Sequence, residues 1–243
     1  MKLRRNLTNK IHFVLDQLMP PILLDQRWFM KPLVWILYRK NTNLILDFKN
    51  KAPFISEEEY LNTYKKIVDC KIERQTDLST YSFDFIMKEL KGKTLLDIPC
   101  GKAFLTAKIA QDKTKEVTGA DFIISPKLIK KYPQIKFVNS KLEKTPFPDK
   151  SFDTVICAHC LEHVLDIPTC MKELRRITRK RLIIIVPKQR SHKYTFELHI
   201  NFFPSVESFL LAIKPPHKNI FCQESKDGGD IHYIEDFSSK GVK

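Results

Sequence analysis

The 243 residues are enough for one sizeable hydrophobic core with an attached segment. With 43% hydrophobic and 29% charged residues, the composition excludes a disordered chain. The formal net charge of +14 attracts anions, but the lysines are spread along the whole sequence, so we expect a basic surface more than a dedicated nucleic-acid groove.

The cysteines and the amino-terminal region predict the compartment. Six cysteines show no spacing typical of a small disulfide scaffold, which favours reduced thiols and a cytoplasmic protein. Asp16 and two prolines interrupt the run from Ile11 to Leu24, so no secretory signal is expected. The most apolar stretch, Trp28 to Tyr38, is far shorter than the roughly 20 residues that span a bilayer.

Residues 1–55 are rich in aromatic and basic side chains, and we expect a helical extension there. Two interpretations remain open for residues 11–40. The favoured one is a set of helices that pack onto the main domain. The other is peripheral contact with an anionic membrane surface, because Trp28 and Trp35 lie among arginines and lysines.

Helix signals follow from Ser56. Ser56 with Glu59 forms a capping box, which predicts a helix that runs to about Cys70. A second helix should begin near Ser79 or Thr80. Its predicted core-facing residues are Phe83, Phe85, Ile86 and Leu90.

From Thr94 onward, short apolar runs alternate with helical segments, a pattern typical of a parallel sheet with helices on both faces. The predicted strands are Thr94–Ile98, Glu116–Asp121, Ile135–Asn139, Thr154–Cys157 and Leu182–Val186. The predicted helices are Phe104–Gln111, Pro126–Lys131, Ile167–Thr178 and Pro204–Ile213. Asn219–Glu224 and Ile231–Phe237 flank an Asp-Gly-Gly turn, which predicts an antiparallel hairpin at the end of an α/β fold.

The turn after the first predicted strand contains small residues that let the backbone approach a ligand. Asp97 ends the strand, and Pro99, Gly101 and Ala103 follow at alternate positions. A dinucleotide-binding turn needs a third glycine where this chain has Phe104, which argues against a nicotinamide cofactor.

Asp121 ends the second predicted strand. A carboxylate at this position can accept hydrogen bonds from both hydroxyls of a ribose, although a helix-capping aspartate is the alternative. Phe122 beside it can pack against the face of an adenine ring. Asp121 is therefore the best single candidate for binding a nucleoside cofactor.

The run from Phe137 to Asp153 reads FVNSKLEKTPFPDKSFD, and LEHV follows at 161–164 after an apolar strand. This run resembles the type 11 family of class I methyltransferases, in which PF-x-D-x-SFD leads to LEHV. The resemblance implies a Rossmann-like fold with a mostly parallel seven-stranded sheet and S-adenosylmethionine as cofactor. It assigns residues 56–243 to the methyltransferase domain, with core motifs over 94–187.

The resemblance also implies roles for single residues. Lys141 stands where the family often has an acid that binds the adenine amino group, so backbone groups near Leu142, or Asn139, would bind the adenine instead. Arg74 could pair with the methionyl carboxylate of the cofactor, or be a surface arginine. The residues assigned to cofactor binding are Arg74, Asp97, Pro99, Gly101, Asp121, Phe122, Leu142 and Cys157.

Histidines are the candidates for the catalytic base, since imidazole titrates near neutral pH. His159 and His163 follow the fourth predicted strand, and His199 follows the fifth. Glu162 with these three histidines could hold a divalent metal, but a structural role is favoured for Glu162 and no metal is assigned. Cys157 and Cys160 have CxxC spacing without a second pair, so zinc is discounted.

The leading hypothesis is an enzyme that moves a methyl group from S-adenosylmethionine to an oxygen of a small molecule or of a cell-surface glycan or lipid-linked precursor. The basic charge favours an anionic or membrane-proximal acceptor. An RNA methyltransferase is an alternative that uses the same charge. A non-catalytic subunit with the same fold is another alternative, because Pro99 and Ala103 stand where the family prefers glycine and Lys141 stands where the family often has an acid. The sequence does not set the oligomeric state.

Overall fold

The computed structural model describes residues 19–68 and 75–237. These residues form two compact units. The first comprises 19–68 and 189–202, and the second comprises 75–188 and 203–237. Arg74 and the predicted helix end at Cys70 lie outside the described residues.

The second unit is built on a seven-stranded sheet in the order β3-β2-β1-β4-β5-β7-β6. The strands are β1 Thr94–Asp97, β2 Glu116–Asp121, β3 Lys136–Asn139, β4 Phe152–Ala158, β5 Thr178–Pro187, β6 Ile220–Glu224 and β7 Asp230–Asp236. The first five pair in parallel, whereas β7 runs antiparallel to both β5 and β6. The predicted α/β fold with a carboxyl-terminal antiparallel hairpin is confirmed.

Helices cover both faces of this sheet because alternate residues of a strand point to opposite sides. Leu96, Val155 and Ile184 belong to one buried cluster, and Leu95, Ile156 and Ile183 to another. The helices of the first unit are α1 Pro21–Leu24, α2 Arg27–Tyr38, α3 Thr42–Lys51 and α4 Glu57–Val68. Those of the second are α5 Thr80–Glu89, α6 Phe104–Ile109, α7 Pro126–Lys131, α8 Ile167–Ile177 and α9 Val206–Ile213.

The helix starts follow from capping chemistry. The Ser79 hydroxyl accepts a hydrogen bond from the backbone N–H of Ser82 at the start of α5, and Ser125 and Asp166 cap α7 and α8 in the same way. The predicted Ser56 cap is present as well, with the Glu59 N–H 3.2 Å from its Oγ. Local sequence therefore sets where these four helices begin.

The first unit has its own core, formed by Met30, Val34, Ile45, Leu46 and neighbouring residues. Tyr194 and Leu198 of the segment 189–202 pack into the same core. That segment leaves the second unit after Lys188 and returns at Phe203, and these two residues form a parallel bridge. The structure thus groups α4 and residues 189–202 with the first unit, and the domain boundary at residue 56 stays a prediction.

No helix among the residues that the structure describes is both long enough and apolar enough to span a bilayer.

At the amino edge of the sheet, the Asp153 carboxylate joins three chain segments. Its oxygens accept from the backbone N–H of Lys93 at 2.8 Å and from the side chains of Arg179 and Lys180, each at 2.9 Å. These cations and hydrogen bonds hold the pKa of Asp153 well below its usual range, against the opposing effect of burial. The aspartate of the SFD motif is therefore a structural anchor.

Gly92 is required beside this anchor. Its φ is +76°, and a Cβ there would lie 2.3 Å from the Asp153 side chain. We expect Gly92→Ala to lower the free energy of unfolding by about 3 kcal/mol, from left-handed strain plus the steric clash. Urea unfolding measures the loss.

Gly228→Ala is the matched control for this substitution. Its φ is +69°, and a Cβ there meets nothing within 4 Å, so only the backbone strain of about 1–2 kcal/mol applies. Equal losses in the two variants would show that the Asp153 contact does not constrain the turn.

Candidate functional site

The polar residues of the candidate site lie at the carboxyl edge of the sheet. Asp97 ends β1, Asp121 ends β2 and His159 follows β4. Because these strands are parallel neighbours, their carboxyl ends meet at one edge, the side on which open α/β sheets bind ligands. Asp230 reaches the same edge from the opposite direction, since it begins the antiparallel β7 and pairs with Pro187.

Asp97 fixes the loop that follows β1. Its Oδ2 accepts from the backbone N–H of Thr106 at 3.1 Å and from the Thr106 hydroxyl at 2.5 Å. Burial raises the pKa of Asp97 to about 7, although the Thr106 hydrogen bonds oppose the shift. The carboxylate thus ties the strand end to α6, and its cofactor role stays a prediction.

Left-handed residues shape this loop. Gly101 has φ 51° and Ala103 has φ 56°, and the Ile98–Pro99 peptide bond is cis. The N–H of Cys100 donates to the carbonyl of Ala120 at 2.8 Å, which binds the loop to the end of β2. The alternation of small residues seen in the sequence therefore corresponds to a tightly turned backbone.

Asp121 connects the loop to β2. Its Oδ2 accepts from the N–H of Gly101 at 2.8 Å, and its Oδ1 accepts from the N–H of Ile123 at 3.2 Å. Burial raises the pKa of Asp121, and the backbone hydrogen bonds from Gly101, Ile123 and Phe122 oppose that shift. The side chain of Phe122 is 36% exposed next to it.

This arrangement fits a nucleoside cofactor. A Cβ at Gly101 would meet nothing within 4 Å, so the space on that side of the Gly101 backbone is open. A carboxylate that can take sugar hydroxyls and an exposed aromatic ring are the groups that an adenosine needs. Asp121 and Phe122 are therefore compatible with the adenosine part of S-adenosylmethionine, and their binding roles stay predictions.

The segment after β3 forms the neighbouring wall. Leu142 is buried, and the N–H of Ser140 donates to the carbonyl of Asp121 at 2.8 Å. The Asn139 amide oxygen accepts from the N–H of Ile124 at 2.9 Å, so that oxygen is engaged within the protein. Lys141 is exposed. Backbone groups around Leu142 remain the predicted adenine contacts.

The PF-x-D part of the recognised motif serves packing. The Arg176 guanidinium donates to the carbonyl of Phe147 at 2.8 Å and to the Asp149 carboxylate at 2.6 Å. Glu173 accepts from the N–H and hydroxyl of Thr145, both at 2.7 Å, and Arg176 lowers the pKa of Glu173 to about 2. Sequence reasoning missed Glu173 and Arg176, whose helical i, i+3 spacing was the available signal.

After β4, the chain places His159 between two carboxylates. Its Nδ1 lies 3.5 Å from Glu162 Oε1, and its Nε2 lies 3.7 Å from Asp230 Oδ1. His159 has φ 51°, a conformation that non-glycine residues rarely adopt, and its N–H donates to the Ile185 carbonyl at 2.9 Å. The strained backbone is held by the edge of the sheet.

The Asp230 carboxylate is itself held by a buried network. Ser82 donates its hydroxyl proton to Asp230 Oδ2 at 2.5 Å and accepts from Ser79 at 2.9 Å. The His232 Nε2 lies 2.9 Å from the same Ser82 oxygen, and the His232 ring stacks on Phe85 with centroids 4.4 Å apart. Sequence reasoning missed Asp230, although its position at the start of a strand beside the fifth strand could have indicated it.

Two carboxylates decide the charge of His159. Burial lowers the pKa of His159, but Asp230 and Glu162 outweigh that effect and raise the pKa to about 9. His159 is therefore protonated at neutral pH. The neighbouring His232 differs, because burial lowers its pKa.

The remaining candidates lie in different surroundings. His163 is half-buried on the turn after β4, where its backbone N–H donates to the Cys160 carbonyl at 2.8 Å. Cys157 is fully buried in the core of the second unit. His199 belongs to the first unit, where its Nδ1 lies 2.6 Å from Gln189 Oε1 and its Nε2 lies 2.9 Å from Glu197 Oε2.

Residues 96–186 match the sequence model of the methyltransferase domain of the type 11 family. The chain is similar to the demethylmenaquinone methyltransferase of Chlorobaculum tepidum, with 31% identity over 128 residues that cover 49% of this chain and 52% of the relative. It is also similar to the 2-phytyl-1,4-naphtoquinone methyltransferase of Thermosynechococcus vestitus, with 27% identity over 120 residues that cover 43% of this chain and 53% of the relative. The chain thus spans about half the length of the curated relatives it matches.

A solved structure shares the fold. The 1,6-didemethyltoxoflavin-N1-methyltransferase of Burkholderia thailandensis, with bound 1,6-didemethyltoxoflavin and S-adenosylhomocysteine, has a TM-score of 0.54 at 16% identity. The match covers 74% of this chain and 85% of that one. At this identity the likeness shows the fold alone.

The charge on His159 gives stability a pH dependence. The His159 imidazole has a pKa of about 9 in the folded protein, against an ordinary value of 6.5. Its protonated form therefore stabilises the fold fully below pH 6.5, and this stabilisation is lost as the pH rises to about 9. In Asp230→Asn the main partner that raises this pKa is gone. We expect the loss of unfolding free energy between pH 6.5 and pH 9, on the order of 3 kcal/mol at most, to shrink in this variant.

Urea unfolding across this pH range measures the difference. Asp84→Asn is the control, since it removes an exposed carboxylate from the same helix as Ser82. Its unfolding free energy should depend on pH as that of the parent protein does. If the unfolding free energies of the parent, Asp230→Asn and Asp84→Asn fell equally between pH 6.5 and pH 9, the result would contradict an ion pair between Asp230 and His159.

Proposed function

We propose that the chain is an S-adenosylmethionine-dependent methyltransferase that methylates a quinone-type small molecule in its reduced form; residues 96–186, which match the methyltransferase domain of the type 11 family, support the reaction type. The observation that carries methyl transfer is the Asp121 carboxylate beside the open backbone of Gly101. The acceptor class is supported by the relatives, whose names specify quinones. Those relatives match over only about half their length, so the acceptor is a proposal for this chain.

The proposed acceptor atom is a ring carbon. A demethylated quinone differs from its methylated product by a methyl group on the ring, which favours carbon over the oxygen expected from the sequence. When bound, S-adenosylmethionine supplies a methyl group on a sulfonium. The protein must then align the reduced ring in line with that methyl group and accept the proton that the acceptor loses.

His163 is the proposed proton acceptor. It lies on the turn directly after β4 at the carboxyl edge, and it is half-buried. His199 belongs to the first unit, where its ring nitrogens lie within hydrogen-bonding distance of Gln189 and Glu197. A general base contributes about 10²- to 10⁴-fold to a rate.

His159 has a different proposed role. With a pKa of about 9 it already carries a proton at neutral pH, so it does not accept one in the resting enzyme. Its ring nitrogens face Glu162 and Asp230, and this pairing fixes the turn that carries His163. We assign His159 as a positioning residue.

Asp121 provides the test of the cofactor site. Asp121→Asn keeps the size of the side chain and removes the charge that strengthens hydrogen bonds to ribose hydroxyls. We expect roughly ten- to hundredfold weaker binding of S-adenosylmethionine, measured by titration calorimetry. Asp112→Asn, which removes an exposed carboxylate from a turn, is the control and should bind as the parent does. Equal affinity in both variants, with both folded, would remove Asp121 from the site.

The acceptor is tested with the purified chain, S-adenosylmethionine carrying a deuterated methyl group, and a chemically reduced naphthoquinone with a short isoprenoid tail. Mass spectrometry should find one added labelled methyl group, and fragmentation should place it on the ring. A label on oxygen would support the sequence-based hypothesis instead. A parallel reaction contains RNA in place of the quinol, and labelled RNA there without labelled quinol would favour the RNA alternative.

His163→Gln is the companion variant in the same assay. Turnover should fall at least about 100-fold while the affinity for S-adenosylmethionine stays that of the parent. A parent protein that binds S-adenosylmethionine but transfers no methyl group to any acceptor would point to a non-catalytic subunit.

A further inference from the structure

Helix α2 has two unlike faces. Met30 and Val34 are almost completely buried and pack into the core of the first unit. On the opposite side, Trp28 is 69% exposed, Trp35 51% and Ile36 55%. Trp28 and Trp35 are seven positions apart, which is two helical turns, so they lie on the same side of the helix. Single exposed apolar residues are ordinary, but three large ones on one helix face mark an interaction surface.

The charges around this face are positive. No acidic residue occurs between Arg27 and Lys40. Arg27 is neutralised inside the unit by its ion pair with Asp47. The Arg39 guanidinium lies 4.3 Å from the centroid of the Trp35 ring, which brings a cation to the exposed aromatic surface. The other exposed cations of this stretch are Lys31 and Lys40.

We propose that this surface binds the face of a membrane that contains anionic lipids. We call it the Trp face, and it consists of Trp28, Lys31, Trp35, Ile36, Arg39 and Lys40. Indole rings settle at the boundary between headgroups and acyl chains, and the flanking cations pair with lipid phosphates. A helix of 12 residues lies in the plane of the interface. Residues 11–18, part of the stretch predicted to make this contact, lie outside the described residues.

Charge complementarity selects the membrane over a second copy of the chain. Two Trp faces brought together would oppose like charges, and the net charge of +14 adds repulsion between copies. An anionic bilayer instead attracts each cation with about 1 kcal/mol near its surface. The proposal needs neither bound cofactor nor acceptor, so it stands or falls independently of the proposed reaction.

The tryptophans themselves report on the proposal. The chain contains two tryptophans, Trp28 and Trp35, and both lie on the Trp face. Full-length protein is titrated with vesicles of phosphatidylcholine alone or mixed with phosphatidylglycerol. The tryptophan emission should shift to shorter wavelength with the mixed vesicles, and the protein should co-sediment with them. Added salt should weaken this binding, because it screens the cations.

Matched variants decide whether the Trp face is responsible. The double variant Trp28→Ala with Trp35→Ala should bind the mixed vesicles at least about tenfold more weakly in co-sedimentation. Leu211→Ala is the control, since Leu211 is 76% exposed on α9 in the other unit and should not affect binding. Circular dichroism and thermal melting verify that both variants fold.

Three results would overturn the proposal. The first is that the double variant binds the mixed vesicles as well as the parent does, and the second is that the parent does not bind anionic vesicles. The third is that the parent self-associates without lipid and becomes monomeric in the double variant, because the Trp face would then join two copies. Analytical ultracentrifugation detects this third case.

Discussion

Parallel hydrogen bonding between β1, β2, β4 and β5 is the constraint on which the site depends. It aligns four strand ends at one edge, so that Asp97, Asp121 and His159 come together although they are far apart in the chain. The antiparallel β7 adds Asp230 to the same edge because its first residue pairs with the last residue of β5. A shift of register by one residue would turn each of these side chains to the opposite face.

Buried carboxylates are the second recurring element, and several of them accept hydrogen bonds from backbone N–H groups, hydroxyls or cations. Asp121 binds Gly101 and Ile123, and Asp153 binds Lys93 and two basic side chains. A carboxylate is costly to bury, and hydrogen bonds to the charged form offset that cost. The loops at both edges of the sheet are thus held by side chains of the strands and not by packing alone.

The sequence predicted the elements with strong local signals. Strand and helix positions followed from apolar periodicity and capping residues, and Asp121 was singled out by its place after the second strand. The Asp230 network and the membership of 189–202 in the first unit were missed, because both depend on contacts between distant parts of the chain. The PF-x-D motif suggested the family, and in this structure Arg176 contacts the Phe147 carbonyl and the Asp149 carboxylate of that motif.

The bridge between Lys188 and Phe203 gives the segment 189–202 adjacent points of departure and return. The entropy needed to close a loop rises only slowly with its length once the ends are fixed together. The length of the segment can therefore vary while β5 and α9 keep their places, provided that Tyr194 and Leu198 still reach the core of the first unit. The junction thus lets residues of a second unit be inserted into the chain without a change in the sheet that carries the candidate site.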